Sequence, residues 1–468
     1  MLADAMTRTD PAGPIAAGGA NGVVWLAVVL LAASMAACGT DAPDAPAERP
    51  ALAGEMEDVL REQVLDPWYP RAIDEEHGGF LSDFNDRWEP DGPHDKFIVT
   101  QARHTWTTAR AARFFPEADA HYLPMAAHGF EFLRDVMWDD THGGFVGTVS
   151  REGAVQANGS GDRVKRAYGN AFAIYGLAAY HAASGNEDAL QLAQDAFRWL
   201  NEHAHDPVHG GYFQFMARDG TPFRNGYGGT PPKDQNSSIH LLEAFIELYH
   251  VWPDPTVRDR LREMLHVVRD TLVTDTAYLT LFTRADWTPV SYRDSSQAVR
   301  EANYRLDHVS FGHDVETAFL ILEASEALGI ERDTTLRVAQ SMVDHAIRNG
   351  WDEATGGLYD GGYYPSEDAP IDIVRISKAW WAQVEALNAF LLMARLFPDA
   401  EISYDDYFRQ QWTYVKEYLI DWEHGGLYRG GLDEEPDAKT ASKGGIWKAA
   451  YHETRSLMHS IERLRSHE

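Results

Sequence analysis

A seven-residue turn signature recurs along the chain and constrains its fold more than any other feature. The signature reads acid, two variable residues, His or Thr, Gly, Gly, then an aromatic residue or Leu, and it occurs at 74–80, 139–145, 206–212, 352–358 and 421–427. Successive Gly-Gly pairs are 65, 67, 146 and 69 residues apart, so the longest interval spans two periods. A fixed period of this kind marks a repeat architecture. We therefore expect six units, with a degenerate sixth turn near residues 276–287.

Each interval between turns carries two stretches with helical periodicity. In one stretch, Phe172, Tyr175 and Tyr180 recur near helical steps, with Ala between them. Prolines such as Pro398 follow the first stretch of a pair and act as helix stop signals. The short apolar runs after the turns, for example 211–215, predict small β-hairpins.

The helix count predicts a closed ring. From residue 51 onward the periodicity gives one helix, five helix pairs and a final lone helix over 447–465. The first and last helices can pair with each other only if the array closes. This predicts an all-α fold, an (α/α)6 barrel with short β-hairpins in its connecting loops. The alternative, an open solenoid, needs polar capping ends, and 447–457 is not polar. Residues 51–468 show no composition break and are expected to form this one domain.

The N-terminal segment has the pattern of an export signal. Residues 23–37 form an apolar run of 15 residues, too short to span a bilayer and followed at once by Cys38, the single cysteine. The sequence at 35–38, Met-Ala-Ala-Cys, resembles a bacterial lipoprotein processing box. We expect residues 1–37 to be a signal peptide of lipoprotein type, Cys38 to be lipidated, and the Pro/Ala/Asp-rich stretch 38–50 to be an extended tether. An ordinary cleaved signal peptide with a chance cysteine is the alternative. Either way we expect an exported protein, periplasmic or at the cell surface, with no membrane contact beyond this anchor.

Charge excludes one large class of partner. The 468 residues carry a formal net charge of −31. Nucleic-acid binding requires basic patches that neutralise phosphates. We therefore expect no nucleic-acid partner.

Unusual polar residues fall at one phase of the repeat, at the start of the first helix in each unit. In a ring of hairpins, equivalent positions lie at the same height, so these groups should converge at one mouth of the barrel in a sugar-sized site. They are Gln101 and Arg103; Lys165, Arg166 and Tyr168; Lys233, Asp234, Gln235, Asn236 and His240; Ser310, His313 and Glu316; Lys378, Trp380, Trp381 and Glu385; and Trp447, Lys448, Tyr451, His452 and Arg455.

Two histidines at this phase are each followed three residues later by a glutamate. His313 with Glu316 and His240 with Glu243 therefore share a helix face and can hydrogen-bond. A carboxylate that holds one imidazole nitrogen favours proton transfer at the other. A structural histidine or a metal site are the alternatives, but these two motifs read His-x-x-Glu and not the Glu-x-x-His of di-iron bundles, and we expect no metal. The histidines of the turn signature are expected to be scaffold: His77, His142, His209 and His424.

At these residues the chain resembles the N-acylglucosamine 2-epimerase superfamily, most closely its cellobiose 2-epimerase branch. The resemblance covers about residues 52–465 and is carried by the motifs at 101–103, 236–244, 310–316, 378–386 and 447–452. It implies an (α/α)6 barrel, in agreement with the helix count. It also implies cofactor-free and metal-free proton transfer at C2 of a reducing-end sugar, with a small sugar as the only substrate.

The resemblance assigns the proton-transfer residues. Ring opening exposes the aldehyde, a base removes the C2 proton to give an enediolate, and reprotonation on the opposite face gives the epimer. His313 and His452 are the implied bases, with Glu316 orienting His313. His240 would assist ring opening or bind the sugar hydroxyls, and Arg103 would stabilise the charge on the enediolate oxygen.

The resemblance also assigns residues that bind the sugar. Tyr168 and Asn236 would hold hydroxyl groups, and Trp381 and Trp447 would pack on the sugar rings. An aldose–ketose isomerase acting on a monosaccharide such as mannose or glucose shares the same enediolate and is the first alternative. A glycoside hydrolase would need a carboxylate pair across the scissile bond, whereas this phase is rich in histidine. A non-catalytic sugar-binding lipoprotein is the last alternative.

Overall fold

The computed structural model describes residues 45–155, 164–366 and 369–466, and these contain twelve long helices. The helices are α1 Ala45–Val59, α2 Ile98–Phe114, α3 Asp119–Phe132, α4 Ala167–Ser184, α5 Glu187–His203, α6 Gln235–Val251, α7 Pro255–His266, α8 Phe311–Leu328, α9 Arg332–Gly350, α10 Trp380–Leu396, α11 Tyr404–Tyr414 and α12 Tyr451–Arg465. Four of the outer helices, α1, α3, α7 and α11, continue into a π-helical segment before the turn that follows.

The even-numbered helices form an inner ring and the odd-numbered helices surround it. Each inner helix packs against the next one along the chain, α12 packs against α2, and α1 packs against α12, so the ring is closed. The inner helices approach closely where side chains are small: a Cβ at Gly176 would lie 2.7 Å from the carbonyl oxygen of Ala102. The predicted (α/α)6 barrel is confirmed.

All six units contain the predicted turn. In five of them both glycines have positive φ, a conformation that glycine adopts at no steric cost. The sixth turn lies at 273–279, where Val273 bridges Leu279 and Ala277 adopts a φ of 65° in place of glycine. It overlaps the start of the predicted window and is one residue shorter than the others.

A buried lysine braces each of the five Gly-Gly turns. Its Nζ lies against the turn aspartate, which also accepts backbone N–H bonds within the turn. Since a buried ion pair is stable only when both partners are present, this contact fixes each turn to the segment that precedes an inner helix. The pairs are Lys96–Asp74 at 2.9 Å, Lys165–Asp139 at 3.0 Å, Lys233–Asp206 at 2.9 Å, Lys378–Asp352 at 2.7 Å and Lys443–Asp421 at 2.6 Å.

Short antiparallel strands connect the units at the same end of the barrel. Three of the four pairs join one unit to the next, and the fourth, β7 with β8, is a local hairpin. The pairs are β1 Lys96–Phe97 with β2 Thr148–Val149, β3 Val164–Arg166 with β4 Phe215–Ala217, β5 Lys233–Asp234 with β6 Phe282–Thr283, and β7 Gly361–Tyr363 with β8 Asp372–Arg375.

The barrel begins earlier than the sequence indicates. Helix α1 starts at Ala45, so residues 45–50 are helical where an extended tether was expected. The predicted signal peptide 1–37, Cys38 and the rest of the tether lie outside the described residues. Among the described helices, none has the length and apolar character needed to cross a bilayer.

Candidate active site

The predicted site residues lie in two levels at the N-terminal ends of the inner helices. An α-helix makes one turn in 3.6 residues, so the two levels are about one turn apart. The upper level holds the second or third residue of its helix, namely Tyr168, Asn236, His313, Trp381 and His452, and the lower level holds the fifth or sixth, namely Arg103, His240, Glu316, Glu385 and Arg455. Helix α12 begins at Tyr451 rather than at 447, which leaves Trp447 in the loop before it.

Trp381 contacts both histidines that were predicted to move the proton. Its ring centroid is 4.6 Å from that of His313 and 5.7 Å from that of His452. His452 is buried, whereas His313 and Trp381 keep partial exposure. The three rings therefore form one face of the site.

Arg103 organises the other face. Its Nη2 donates to the hydroxyl of Tyr168 at 3.0 Å and its Nη1 to the carbonyl oxygen of Trp447 at 3.3 Å. The Tyr168 ring lies 5.2 Å from His240 and 6.3 Å from Trp447, centroid to centroid. Arg103, Tyr168, His240 and Trp447 thus lie together, and Asn236 is half-buried at the level of Tyr168.

Each of the three site histidines is held through Nδ1. The contact leaves Nε2 as the nitrogen that can exchange a proton with a ligand. The partners are Glu243 Oε2 for His240 at 2.8 Å, Glu385 Oε1 for His452 at 2.7 Å and Ser310 Oγ for His313 at 2.7 Å.

One predicted contact is wrong. Glu316 does not hold His313, although the two share a helix face, because its carboxylate accepts a hydrogen bond from Arg455. The hydroxyl of Ser310 occupies the place at Nδ1 of His313 instead. Glu316 acts on His313 only through its charge, which opposes the effect of burial on the pKa of His313.

Arg455 joins the lower level into one network. Its guanidinium donates to Glu243, Glu316 and Glu385, the last at 2.5 Å, and to the hydroxyl of Tyr451 at 2.6 Å. Tyr451 in turn donates to Glu243 at 2.6 Å. Arg455 and the three glutamates are almost fully buried. These carboxylates are therefore committed to internal contacts and form the base of the site.

The surroundings keep the two proton-transfer histidines neutral. Burial lowers the pKa of His313 to about 4. Burial, and then the positive charges of Arg103 and Arg455, hold the pKa of His452 well below its usual value. Burial also raises the pKa of Glu385 well above the ordinary range despite Arg455, so both partners of the His452–Glu385 contact favour their neutral forms and one proton lies between them. A neutral imidazole is the form that accepts a proton.

Burial alone would raise the pKa of Glu243, but Arg455 and then His240 hold it at about 2. Glu243 is therefore ionised at neutral pH, and it accepts the Nδ1–H of His240. This fixes the tautomer in which Nε2 of His240 carries the lone pair.

One cluster in the site has the spacing of metal ligands. Oxygen and nitrogen atoms of Glu316, Glu385 and His452 lie within 4.8 Å of one another. However, Arg455 Nη2 already donates to both carboxylates. A divalent cation would have to share these oxygens with a fixed positive charge, so the residues present do not fit a metal.

A cavity of about 400 Å³ opens at the opposite end of the barrel. Its lining comes largely from the C-terminal halves of inner helices and includes Glu247, Glu323 and His459. Glu243 also lines this cavity while it contacts His240 and Arg455. The Arg455 network therefore separates this cavity from the site of the histidines.

Sequence reasoning placed Glu385, Arg455 and Ser310 at the right phase but gave them no role. Glu385 and Arg455 lie on neighbouring inner helices, α10 and α12, and meet at a sequence separation of 70. The repeat phase predicts the height of a residue and not which residue it faces, so no sequence signal marked this pair. Ser310 could have been found, since it lies three residues before His313.

The two levels of polar residues in a closed (α/α)6 barrel define the class of the chain. Residues 78–456 match the N-acylglucosamine 2-epimerase (GlcNAc 2-epimerase) family, and the chain belongs to this family. It is accordingly an enzyme of the isomerase class, a sugar 2-epimerase by family.

Individual relatives give a finer comparison. The chain is 28% identical over 418 residues to a cellobiose 2-epimerase of Bacteroides fragilis, which covers 86% of this chain and 97% of that protein. It is 25% identical over 370 residues to a D-mannose isomerase of Thermobifida fusca, with 76% and 83% covered. Among solved structures, cellobiose 2-epimerase from Spirochaeta thermophila is similar with a TM-score of 0.75 and 28% identity, over 90% of this chain and 99% of that one.

Proposed function

We propose that this enzyme interconverts the reducing-end glucose and mannose of a disaccharide such as cellobiose. The observation that carries the proposal is the placement of His313 and His452 against one tryptophan, Trp381, with each imidazole held through Nδ1. Epimerisation at C2 requires two bases that reach opposite faces of one planar intermediate. Relatives named cellobiose 2-epimerase, matched over nearly their whole length, support the disaccharide as substrate.

The proposed reaction removes the proton at C2 and replaces it from the opposite face. With the ring open, Nε2 of one histidine takes the C2 proton, and the electron pair of the broken C–H bond moves into the C1–C2 bond while the aldehyde oxygen becomes negative. The guanidinium of Arg103 would stabilise that charge. The second histidine, whose Nε2 has taken up a proton from solvent water, then gives that proton to C2 from the other face, and the electron pair of the enediolate forms the new C–H bond as the aldehyde of the epimer is restored. The first histidine releases the proton that it took from C2 to solvent water.

Ring opening and substrate binding use the other face of the site. His240, with Nδ1 held by the ionised Glu243, has its Nε2 free to take the hydroxyl proton during ring opening. Tyr168 and Asn236 would hold sugar hydroxyls. Trp381 and Trp447 would pack on the sugar rings, with Trp381 setting the plane between the two bases.

An aldose–ketose isomerase on a monosaccharide is the second candidate, because relatives named D-mannose isomerase align over most of the chain. It would use the same enediolate and return the proton to C1. Hydrolysis is disfavoured by the chemistry of the site, since Glu243, Glu316 and Glu385 are all bonded to Arg455 and none is free to pair across a glycosidic bond.

Incubation with cellobiose in D2O tests the proposal. We expect deuterium at C2 and formation of the epimer with mannose at its reducing end, both measured by proton NMR. A ketose product would transfer the assignment to the isomerase. Shortened sugars, or no exchange at all with cellobiose, mannobiose, mannose and glucose, would refute both. His313→Ala and His452→Ala should each abolish epimer formation.

We propose further that the enzyme is exported and anchored by a lipid on Cys38. The support is the apolar run at 23–37 followed directly by this cysteine. Metabolic labelling with a fatty acid, with Cys38→Ala as the control, tests it. We expect label in the wild type and none in Cys38→Ala. The absence of label from both proteins would reject the anchor.

A further inference from the structure

Ser310 occupies an unusual place at the start of an inner helix. It is the cap residue of α8, yet its hydroxyl makes no hydrogen bond to the backbone N–H groups of the first turn. The hydroxyl lies instead 2.7 Å from Nδ1 of His313. Asp234, the cap residue of α6, shows the ordinary arrangement, in which its carboxylate accepts the N–H of Ser237. The capping group of α8 is thus diverted to the imidazole.

The partner of His313 also differs chemically from the partners of the other site histidines. His240 and His452 are held by glutamates, whereas His313 is held by a neutral hydroxyl. A hydroxyl oxygen accepts a hydrogen bond without adding charge. Ser310 is buried, at 6% exposure, so no bulk water competes for this position.

We propose that Ser310 is the positioning residue of His313 and accepts the Nδ1–H of its imidazole. This contact selects the tautomer with the lone pair on Nε2 and turns that atom toward C2 of the sugar. The inference rests on the proposed epimerase reaction and refines it. The carboxylate that would otherwise do this, Glu316, is bonded to Arg455.

A positioning role for Ser310 predicts a result that a purely structural role does not predict. Each histidine serves one face of the enediolate, so loss of Ser310 impairs proton transfer on the His313 face alone. The histidine on the other face can still remove the proton, exchange it with solvent and give a solvent-derived one back to the same face. In D2O this gives deuterium at C2 without inversion.

The experiment uses the full chain with Ser310→Ala, Ser310→Thr and Ser325→Ala. Ser325 is a buried serine at the other end of α8 whose hydroxyl donates to the carbonyl of Ile330, so it controls for loss of a buried hydroxyl in the same helix. Epimer formation and C2 deuterium in recovered substrate are measured separately, starting from cellobiose and from its C2 epimer.

We expect Ser310→Ala to slow epimer formation by roughly 10- to 100-fold, below the full value of a general base. From one of the two epimers, exchange without inversion should persist, so the ratio of exchange to epimerisation rises. Ser310→Thr should restore the wild-type ratio, and Ser325→Ala should keep it.

Two results would overturn the proposal: an unchanged rate in Ser310→Ala, or exchange and epimerisation falling by one common factor from both epimers. Nitrogen-15 NMR of the His313 ring gives an independent readout, and a wild-type signal with Nε2 protonated at neutral pH also contradicts it. Failure of the epimerase assignment is distinguishable, because wild type itself would then form no epimer.

Discussion

Nδ1 of His452 lies 2.7 Å from Oε1 of Glu385, and the same oxygen accepts a hydrogen bond from Arg455. Glu385 thus ties the imidazole to the buried network beneath it. We predict that Glu385→Gln lowers kcat by roughly 10- to 100-fold, because an amide can keep the geometry but cannot take up or release the proton that a carboxyl group exchanges with Nδ1 of His452. Steady-state kinetics with cellobiose would measure this, with KM changing much less than kcat.

An exposed glutamate provides the control for this variant. Glu401, with 93% of its side chain exposed, should tolerate the same Glu→Gln change with unchanged kcat. If Glu385→Gln retains full kcat, the carboxylate does not orient His452 for proton transfer.

Trp381 should matter for binding as well as for the separation of the two bases. Its ring lies within 6 Å of both proton-transfer histidines, at 4.6 and 5.7 Å between centroids. We predict that Trp381→Ala raises KM by about tenfold, corresponding to the loss of an aromatic contact of about 1.4 kcal/mol, and that Trp381→Phe restores most of it. Trp422→Ala, at a turn residue 57% exposed, is the matched control. Equal KM values for the two alanine variants would remove Trp381 from the binding site.

The sequence predicted the barrel because the repeat is redundant. Five copies of the turn signature, the prolines between helices and the helix count all lead to twelve helices in a closed ring. The degenerate sixth turn was located only approximately, since Ala277 replaces glycine and one residue is missing there. The start of α1 was missed because residues 45–50 read Ala-Pro-Ala-Glu-Arg-Pro, with two prolines and no amphipathic pattern, and they nevertheless begin the helix.

The sequence predicted at which height of the barrel the site residues lie, but it predicted their hydrogen-bond partners less well. An i, i+3 spacing permits a His–Glu hydrogen bond, and it forms at His240 with Glu243. At His313 the same spacing is overridden, because the guanidinium of Arg455 is a stronger partner for a buried carboxylate than a neutral imidazole. Contacts between helices far apart in sequence decide this outcome, and one sequence does not contain them.

Removal of Arg455 should destabilise the barrel strongly. Its guanidinium donates to Glu243, Glu316 and Glu385, which are at most 4% exposed. We predict that Arg455→Met lowers the free energy of unfolding by about 3–5 kcal/mol, because the three buried glutamates lose the guanidinium that pairs with them. Denaturant unfolding followed by circular dichroism measures the change.

Arg465 on the same helix serves as the matched control. It pairs with Glu57 but half of its side chain is exposed, at 51%, so Arg465→Met should cost no more than about 1 kcal/mol. Similar losses in both variants would mean that the buried network does not stabilise the fold.

Chelators should leave the activity unchanged. The only site cluster with metal-ligand spacing among the described residues is Glu316, Glu385 and His452, and Arg455 already bonds both of its carboxylates. We predict equal kcat and KM for enzyme dialysed against EDTA and for enzyme then resupplied with Mg²⁺, Mn²⁺ or Zn²⁺. A loss of activity with EDTA that one of these ions reverses would contradict the proton-transfer scheme proposed for the two histidines.

The lysines beneath the turns should make the fold sensitive to acid. The pKa of Asp352 is lowered to about 2: burial alone would raise it, but a hydrogen bond from Lys378 more than offsets this. The pKa values of Asp74 and Asp139 are also lowered, because hydrogen bonds from an arginine and from the buried lysine outweigh the effect of burial at each of them. A carboxyl whose pKa is lower in the folded than in the unfolded chain contributes stability above its ordinary pKa of about 4. That contribution is lost as pH falls from about 4 towards 2, so the Tm should drop steeply across this window.

Lys378→Met tests whether the brace is the cause. Nζ of Lys378 donates to Asp352, Thr355, Asp433 and the carbonyl of Gly356, so its loss should cost about 3–5 kcal/mol at pH 7. Without the lysine, the pKa of Asp352 should return toward or above its ordinary value, and the variant should approach the wild type in stability as the pH falls. Lys416→Met breaks an exposed pair with Glu55 and should leave the acid profile unchanged. A Lys378→Met profile parallel to that of the wild type from pH 7 to pH 2 would exclude the brace as the acid-sensitive element.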